Sequence, residues 1–346
     1  MLTSFSLGTL PVLYFFTFLY YTDPGSTFFI LLTYYLSLRQ RALPSAVASL
    51  VAVLFRQTNI VWVAFFAADV IVQYVTVLVK TKQQRAEVTP VCSEYEWRFV
   101  AATLKTLMTK CKLVELIQLC YVIIAGAWCY ILVGVLFVAF VVINGSIVVG
   151  AKTDHQAGLH FAQIYYFSAF CGVFSFAHLL SLNNGRKFLK FLTNHFVLVF
   201  VFVGVSCVLL WNFSYSHRYL LSDNRHYTFY IWSKILNRHR LVKVALTPAY
   251  LFAFWSIDNS LSHKNVLWRA AFALCLCLNL IPSTLLELRY FIVPYLLWRL
   301  NTKFTSSVRM VVEIIFNVLV NAVTLYLFLE RPFYWPDDPS PQRFMW

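Results

Sequence analysis

The chain has 346 residues, of which 60% are hydrophobic and only 12% charged, and its mean hydropathy is +0.69. Soluble domains carry roughly a quarter charged residues, so this composition excludes a soluble globular enzyme and describes a polytopic membrane protein. The 28 Lys and Arg against 14 Asp and Glu give a net charge of +14; because the basic residues lie between apolar runs, they point to membrane orientation and anionic membrane lipids, not to nucleic acid.

The apolar runs are of helical length, which predicts an all-α transmembrane bundle and argues against an outer-membrane barrel. Aromatic residues make up 18% of the chain, in keeping with belts at both interfaces. Candidate spans are Phe5–Tyr21, Ser26–Leu38, Leu43–Phe55, Ile60–Val79, Leu116–Ile143, His160–Leu182, Phe196–Trp211, Val244–Ile257, Val266–Ile281 and Val311–Leu329. That is about nine or ten crossings, with Leu43–Phe55 and Val244–Ile257 short for a bilayer. Phe291–Trp298 is shorter still and reads as re-entrant or interfacial. Leu2 to Tyr21 reads as a first span, since no small-residue cleavage site follows it.

Orientation follows the basic loops. The polar stretch over residues 80–115 holds Lys80, Lys82, Arg85, Arg98, Lys105, Lys110 and Lys112 against three glutamates up to Lys112 and a fourth at Glu115, and is placed in the cytosol. Counting spans outward puts Arg39, Arg41, Arg186, Lys187 and Lys190 on the same side. Asp23, the Arg56-Gln57-Thr58-Asn59 interruption, the Asn144–His155 loop and residues 214–243 fall on the opposite, lumenal face. The sequons at Asn144 and Asn212 land on that side or at its boundary.

The 214–243 loop breaks the positive-inside pattern: Arg218, Arg225, Lys234, Arg238, Arg240 and Lys243 stand against Asp223 alone. Either the span count is off, or the charge has a lumenal task such as binding a phosphate, whose oxygens match a guanidinium fork. Ser216 to Trp232, SHRYLLSDNRHYTFYIW, is the densest polar cluster between two apolar runs, and a membrane protein concentrates its chemistry where it keeps polar residues. The alternative is an ordinary solvated loop with interfacial tyrosines. Arg56 is either a site residue or a snorkelling arginine in a short loop. Glu287 and Arg289, between Pro282 and Pro294, either belong to a site or satisfy each other at a helix end. The Pro-rich tail, Pro332 to Trp346, is expected to lie on the membrane.

Phosphate-binding glycine loops, HExxH and GxSxG are absent, and His155 and His160 share no convincing helical face, so they read as solvated or interfacial histidines. The eight cysteines show neither CxxC nor metal-like spacing and read as small core residues. A transporter would show inverted repeats or paired broken helices, and neither is visible. What remains is a bundle whose polar lumenal loops, rich in Arg, His and Tyr, suit an enzyme of lipid-linked phosphates.

Six stretches carry a family resemblance: LYFFTFLYYTDPGS (Leu13–Ser26), FRQTNIVW (Phe55–Trp62), AFVVINGSIVVG (Ala139–Gly150), YLLSDNRHYTFYIW (Tyr219–Trp232), LELRYFIVPY (Leu286–Tyr295) and the terminal QRFMW. Together, in order and from end to end, they resemble the dolichyl-phosphate-glucose α-1,2-glucosyltransferases of the endoplasmic reticulum, multi-spanning enzymes of the GT-C class. The resemblance implies a dolichyl-phosphate-glucose donor and a diglucosylated oligosaccharide on dolichyl diphosphate as acceptor. It also implies inversion at the anomeric carbon, with neither metal nor cofactor. Inversion needs a carboxylate base and cations for the leaving phosphate. Arg225, His226, Arg218 and Arg56 are the candidates for the phosphate; Asn224, Tyr227, Arg289 and Asn59 are the candidates for other substrate contacts; Asp223 and Glu287 are the available carboxylates.

Members of this class usually open with a span followed by a large acidic lumenal loop, which in this family resembles Met-Asp-Glu-Ile-Phe-His. Here the first acidic residue is Asp23, so the expectation is a member lacking its first two spans and that loop, with the phosphate side of the site retained. The other reading is a non-catalytic membrane protein that binds dolichyl-linked substrate or regulates an ion channel.

Overall fold

A computed structural model of the protein describes residues 1–85, 93–149, 157–304, 306–336 and 338–346. The chain opens with two short helices, α1 (Leu2–Gly8) and α2 (Pro11–Phe16). Pro11 sits in the first turn of α2, where its missing N–H has no intrahelical partner to lose. Next come α3 (Asp23–Leu38), α4 (Ala42–Phe55), α5 (Ile60–Arg85), α6 (Arg98–Thr109) and α7 (Leu113–Asn144). The helices α8 (Ala162–Phe174), α9 (Phe176–Leu179), α10 (Leu182–Asn194) and α11 (Phe196–Asn212) lead into the polar stretch, which carries α12 (Arg218–Ser222), α13 (Tyr227–Tyr230) and α14 (Arg240–Ala245). The remainder is α15 (Thr247–Ser260), α16 (Val266–Leu280), α17 (Ile292–Leu300) and α18 (Ser307–Glu330), then a hairpin of β1 (Phe333–Trp335) and β2 (Asp338–Gln342).

The all-α membrane bundle implied by the composition is the fold the chain adopts. Among the described residues, three helices are long and apolar enough to cross a bilayer, Gln57–Arg85, α7 and α18, and α10 with α11 would make a fourth, bent by 95°. The other expected spans are shorter. Phe5–Tyr21 breaks between α1 and α2 at Leu10–Pro11, and His160–Leu182 breaks at Ser175 between α8 and α9. Helices such as α4, of 14 residues, reach about 21 Å, short of the roughly 30 Å hydrocarbon core. Hydropathy along the chain registers apolar content but not these backbone breaks.

The described chain forms two compact units. One comprises Gly25–Asp154 and Leu261–Asn279. Its aromatic core is built from α5 and α16: the Phe65 ring meets Trp268 edge-on at 5.2 Å, and Trp268 stacks on Phe272 at 5.8 Å. Ser45 bonds the Tyr130 hydroxyl at 2.7 Å, joining α4 to α7. Gly25 allows close approach of the Phe55 ring, because a Cβ there would lie 2.5 Å from a ring carbon. Gly145, at φ +69°, ends α7 in the left-handed conformation that glycine adopts without cost.

The expected polar loop over 80–115 is partly helical, since α5 runs on to Arg85 and α6 follows; residues 86–92 lie outside the described part. Lys80 pairs with Glu94 at 2.8 Å and Lys82 with Glu115 at 2.5 Å, so two of its cations are engaged within the unit.

The second unit comprises Met1–Pro24, His155–Ser260 and Leu280–Trp346. Here α1 and α2 pack along α18, and α8 packs against α15 through Tyr165, whose ring meets Tyr250 and Phe254 at 5.5 Å each. The short α17 covers the Phe291–Trp298 segment; it is about 13 Å long by its nine residues and is enclosed by protein, with Trp298 and Tyr295 fully buried. Beside it lies an ionic cluster that is also buried. Glu313 accepts from Ser6 Oγ at 2.6 Å and from Arg299 Nη2 at 2.9 Å, and His178 Nε2 approaches it at 3.2 Å. The Phe304 ring stacks on His178 at 4.3 Å and receives the Arg299 guanidinium at 4.5 Å.

His160, expected to be solvated or interfacial, is instead fully buried, with the Tyr166 and Tyr215 rings edge-on at 6.1 and 5.7 Å. The sequence lacks periodicity there because the aromatic neighbours come from different segments. His155 and the adjoining end of the Asn144–His155 loop lie outside the described residues.

Candidate functional site

The polar stretch becomes a series of short helical turns joined by side-chain caps. His217 Nδ1 accepts from the Tyr219 N–H at 3.2 Å and starts α12. Asp223 closes the turn after it: Oδ1 accepts from the Arg225 main-chain N–H at 3.0 Å, the local bond that makes Asp a turn residue. The same carboxylate then takes the Arg225 side chain in a fork, Nε to Oδ1 at 2.9 Å and Nη2 to Oδ2 at 2.7 Å. His226 Nε2 lies 3.7 Å from Asp223 Oδ2. Burial alone would push the Asp223 carboxyl up, but the Arg225 guanidinium and N–H, with His226 nearby, hold it below the usual carboxylate range.

The C-terminal tail, expected on the membrane surface, folds back onto this segment. Met345 donates its N–H to Arg225 O at 2.9 Å, and Tyr227 donates to Met345 O at 2.9 Å, a parallel bridge around His226. The His226 Nδ1–H donates to the main-chain oxygen of Trp346 at 3.0 Å, since that oxygen can only accept. Arg225 Nη1 donates to Gln342 Oε1 at 3.3 Å, and its guanidinium lies 5.1 Å above the Trp335 ring. Trp335 Nε1 donates to Asn224 Oδ1 at 2.7 Å. The Tyr227 ring meets Trp346 at 5.0 Å. The Tyr227 hydroxyl is buried with no hydrogen-bond partner among the described residues, and burial pushes it up to about 12, so it remains a phenol able to donate.

A second charged cluster lies in the same unit. Arg289 donates Nε to Glu287 Oε2 at 2.6 Å and Nη2 to Oε1 at 2.8 Å, and its Nη1 is 3.6 Å from Asp23 Oδ2. Its guanidinium sits 5.1 Å over the Tyr21 ring and 5.8 Å over Phe16. Burial opposes the charge, but Glu287 and then Asp23 raise the Arg289 guanidinium above its ordinary value.

The structure therefore brings Asp223, Asn224, Arg225, His226 and Tyr227 together and places Glu287 and Arg289 in the neighbouring cluster. Arg218 is exposed, 5.1 Å over the Tyr219 ring. Arg56 and Asn59 belong to the first unit; the buried Asn59 amide donates to Ser26 Oγ and Ala52 O, both at 2.7 Å, and holds the turn between α4 and α5. Sequence reasoning missed Tyr21, Asp23, Trp335, Gln342 and Trp346. Only the arrival of the tail could have revealed most of them, although the Asp23-Pro24 pair at a helix start was a visible polar mark.

An arginine fork pinned on a carboxylate, with a histidine and a phenol beside it, can bind an anionic oxygen cluster such as a phosphodiester. A model described as the DIE2/ALG10 family matches residues 1–300. Two human proteins named Dol-P-Glc:Glc(2)Man(9)GlcNAc(2)-PP-Dol alpha-1,2-glucosyltransferase are each 42% identical over 348 residues, spanning 100% of this chain and 72% of their own length. The Drosophila melanogaster protein of the same name is 35% identical over 343 residues, spanning 99% of this chain and 74% of its own. No solved structure matches the chain. The chain belongs to the DIE2/ALG10 family.

Proposed function

We propose that the chain transfers glucose from dolichyl-phosphate-glucose to Glc(2)Man(9)GlcNAc(2) on dolichyl diphosphate, forming an α-1,2 linkage in the endoplasmic reticulum membrane. The observation that carries this reading is the 42% identity, across the whole chain, to proteins named for that reaction. The geometry supports it. A guanidinium has five donors; with three of Arg225's engaged by Asp223 and Gln342, two are left for the donor phosphate. His226 keeps Nε2 as the ring nitrogen not bonded to the tail, and Tyr227 offers its buried hydroxyl to a phosphate or sugar oxygen.

As glucose leaves, negative charge gathers on the dolichyl phosphate, and a fixed cation at that oxygen lowers the barrier without reorganising. Asp223 and Glu287, the two carboxylates considered for the base, each give both oxygens to an arginine. The Arg225 guanidinium holds the Asp223 carboxyl low and makes it a poor proton acceptor, so in this proposal Asp223 orients Arg225, and Glu287 takes the proton of the acceptor hydroxyl as that oxygen bonds to the anomeric carbon and the bond to the phosphate breaks. Residues 214–243 face the lumen, where the oligosaccharide is extended, and residues 80–115 face the cytosol.

The test is transfer of labelled glucose in membranes from cells deprived of the endogenous enzyme. The chain should convert the diglucosylated acceptor to the triglucosylated form, and Arg225→Ala should lower the rate by about tenfold or more, the usual size of a lost charge-assisted contact. An Arg225→Ala variant that transfers at the parental rate would remove Arg225 from the site.

A further inference from the structure

The tail lies beyond residues 1–300, which the family model matches, yet its contacts with the polar stretch are the densest in the site. Gln342 is buried, 6% exposed, and its amide nitrogen donates to Asp338 Oδ2 at 3.0 Å, Ser340 O at 3.2 Å and Ser340 Oγ at 2.9 Å. A carboxylate and a carbonyl only accept, so the amide is fixed with Oε1 facing Arg225. The hairpin thus holds Gln342, and Gln342 holds the edge of the guanidinium that Asp223 does not. Trp335 closes the flat face, and its indole N–H is tied to Asn224, the residue just before Arg225. The root of the tail is also anchored: Arg343 Nη1 donates to Phe328 O at 2.5 Å and Leu329 O at 2.9 Å, at the carboxyl end of α18.

We propose that the C-terminal hairpin is a built part of the donor-phosphate site, with Gln342 and Trp335 as positioning residues for Arg225. The inference rests on the phosphate role assigned to Arg225 above. A long cationic side chain ordinarily loses rotamer freedom when it binds; one bracketed by a carboxylate, an amide and an indole has lost it already, and the ligand meets a preorganised fork.

The experiment is equilibrium binding of dolichyl-phosphate-glucose, and of dolichol without phosphate, to the purified chain in lipid nanodiscs, with melting temperatures measured in parallel. Gln342→Ala and Trp335→Ala should each weaken the phosphate-bearing ligand about fivefold or more while leaving dolichol binding and melting unchanged. Trp335→Phe, which keeps a ring under the guanidinium, should recover part of the loss. Tyr334→Ala, on the outward face of the hairpin and 64% exposed, should bind like the parent. If Gln342→Ala and Trp335→Ala match the parent while Arg225→Ala is impaired, the tail does not position the arginine and the proposal falls alone. If Arg225→Ala also matches the parent, or the parent does not bind, the phosphate reading fails first and takes the hairpin role with it. Variants that melt early, or lose dolichol and donor alike, would show a structural tail and overturn the positioning role.

Discussion

Arg225 and Asp223 form a pair whose side chains are 38% and 22% exposed, and half-exposed pairs contribute only about 0–1 kcal/mol to stability. Their fork is better explained by direction than by strength: it aims a guanidinium that would otherwise sample many rotamers. Arg225→Lys keeps the charge but loses the fork, and its donor affinity should fall between those of the parent and Arg225→Ala in the same nanodisc titration. The pH dependence follows from the sign of the Asp223 shift. A carboxyl held below its unfolded value contributes stability above that value, about 3.9, and loses it as pH falls through the folded one. The difference in melting temperature between the parent and Asp223→Asn should therefore be constant from pH 8 to about pH 5 and shrink only below about pH 4. A difference that already shrinks between pH 7 and 5 would contradict the lowered value. At this scale much of the site was legible: Asp223, Arg225, His226 and Tyr227 stood in one short polar stretch. Their partners were not, because Gln342 Oε1 and the Trp346 oxygen arrive from more than a hundred residues downstream.

At the scale of elements, the joint between α1, α9, α17 and α18 rests on a buried charge cluster. Glu313 and Arg299 are at most 1% exposed, and His178 and Ser6 complete the contacts to Glu313. Removing one partner of such a pair leaves an uncompensated charge and costs roughly 3–5 kcal/mol, whereas replacing both by apolar side chains of similar volume is often neutral. Arg299→Met should therefore melt well below the parent, and Arg299→Met with Glu313→Leu should regain a large part of the loss. A double variant as unstable as the sum of the two single ones would show that the cluster acts as independent contacts. An acid just inside an apolar run was a readable sign, since ionisable residues in membranes are seldom idle. Its partners were not readable, for they come from three other helices that share no spacing. The same limit applies to the helices: the apolar stretch Phe5–Tyr21 was visible, but the break at Leu10–Pro11 is a backbone event within a run that remains apolar on both sides.

For the whole molecule, composition alone fixed the class, because a chain with 12% charged residues cannot clothe a soluble surface. The family was legible from stretches such as FRQTNIVW and SDNRHYTFY, and the identity to the human proteins bears it out. Of the positive charges in the 214–243 loop, the Arg225 guanidinium is the one that the tail and Asp223 hold in place, and the proposed function gives it a use. The most direct measurement is complementation in cells lacking the terminal glucosyltransferase, scored by conversion of the diglucosylated lipid-linked oligosaccharide to the triglucosylated form. The chain should be tested alone and joined to the N-terminal part of a human relative, each with and without Arg225→Ala at matched abundance. The triglucosylated product should appear with Arg225 in place and be lost, or fall by about tenfold or more, with Arg225→Ala. A well-expressed chain that yields no product in either form, or an Arg225→Ala variant that restores it fully, would contradict the account.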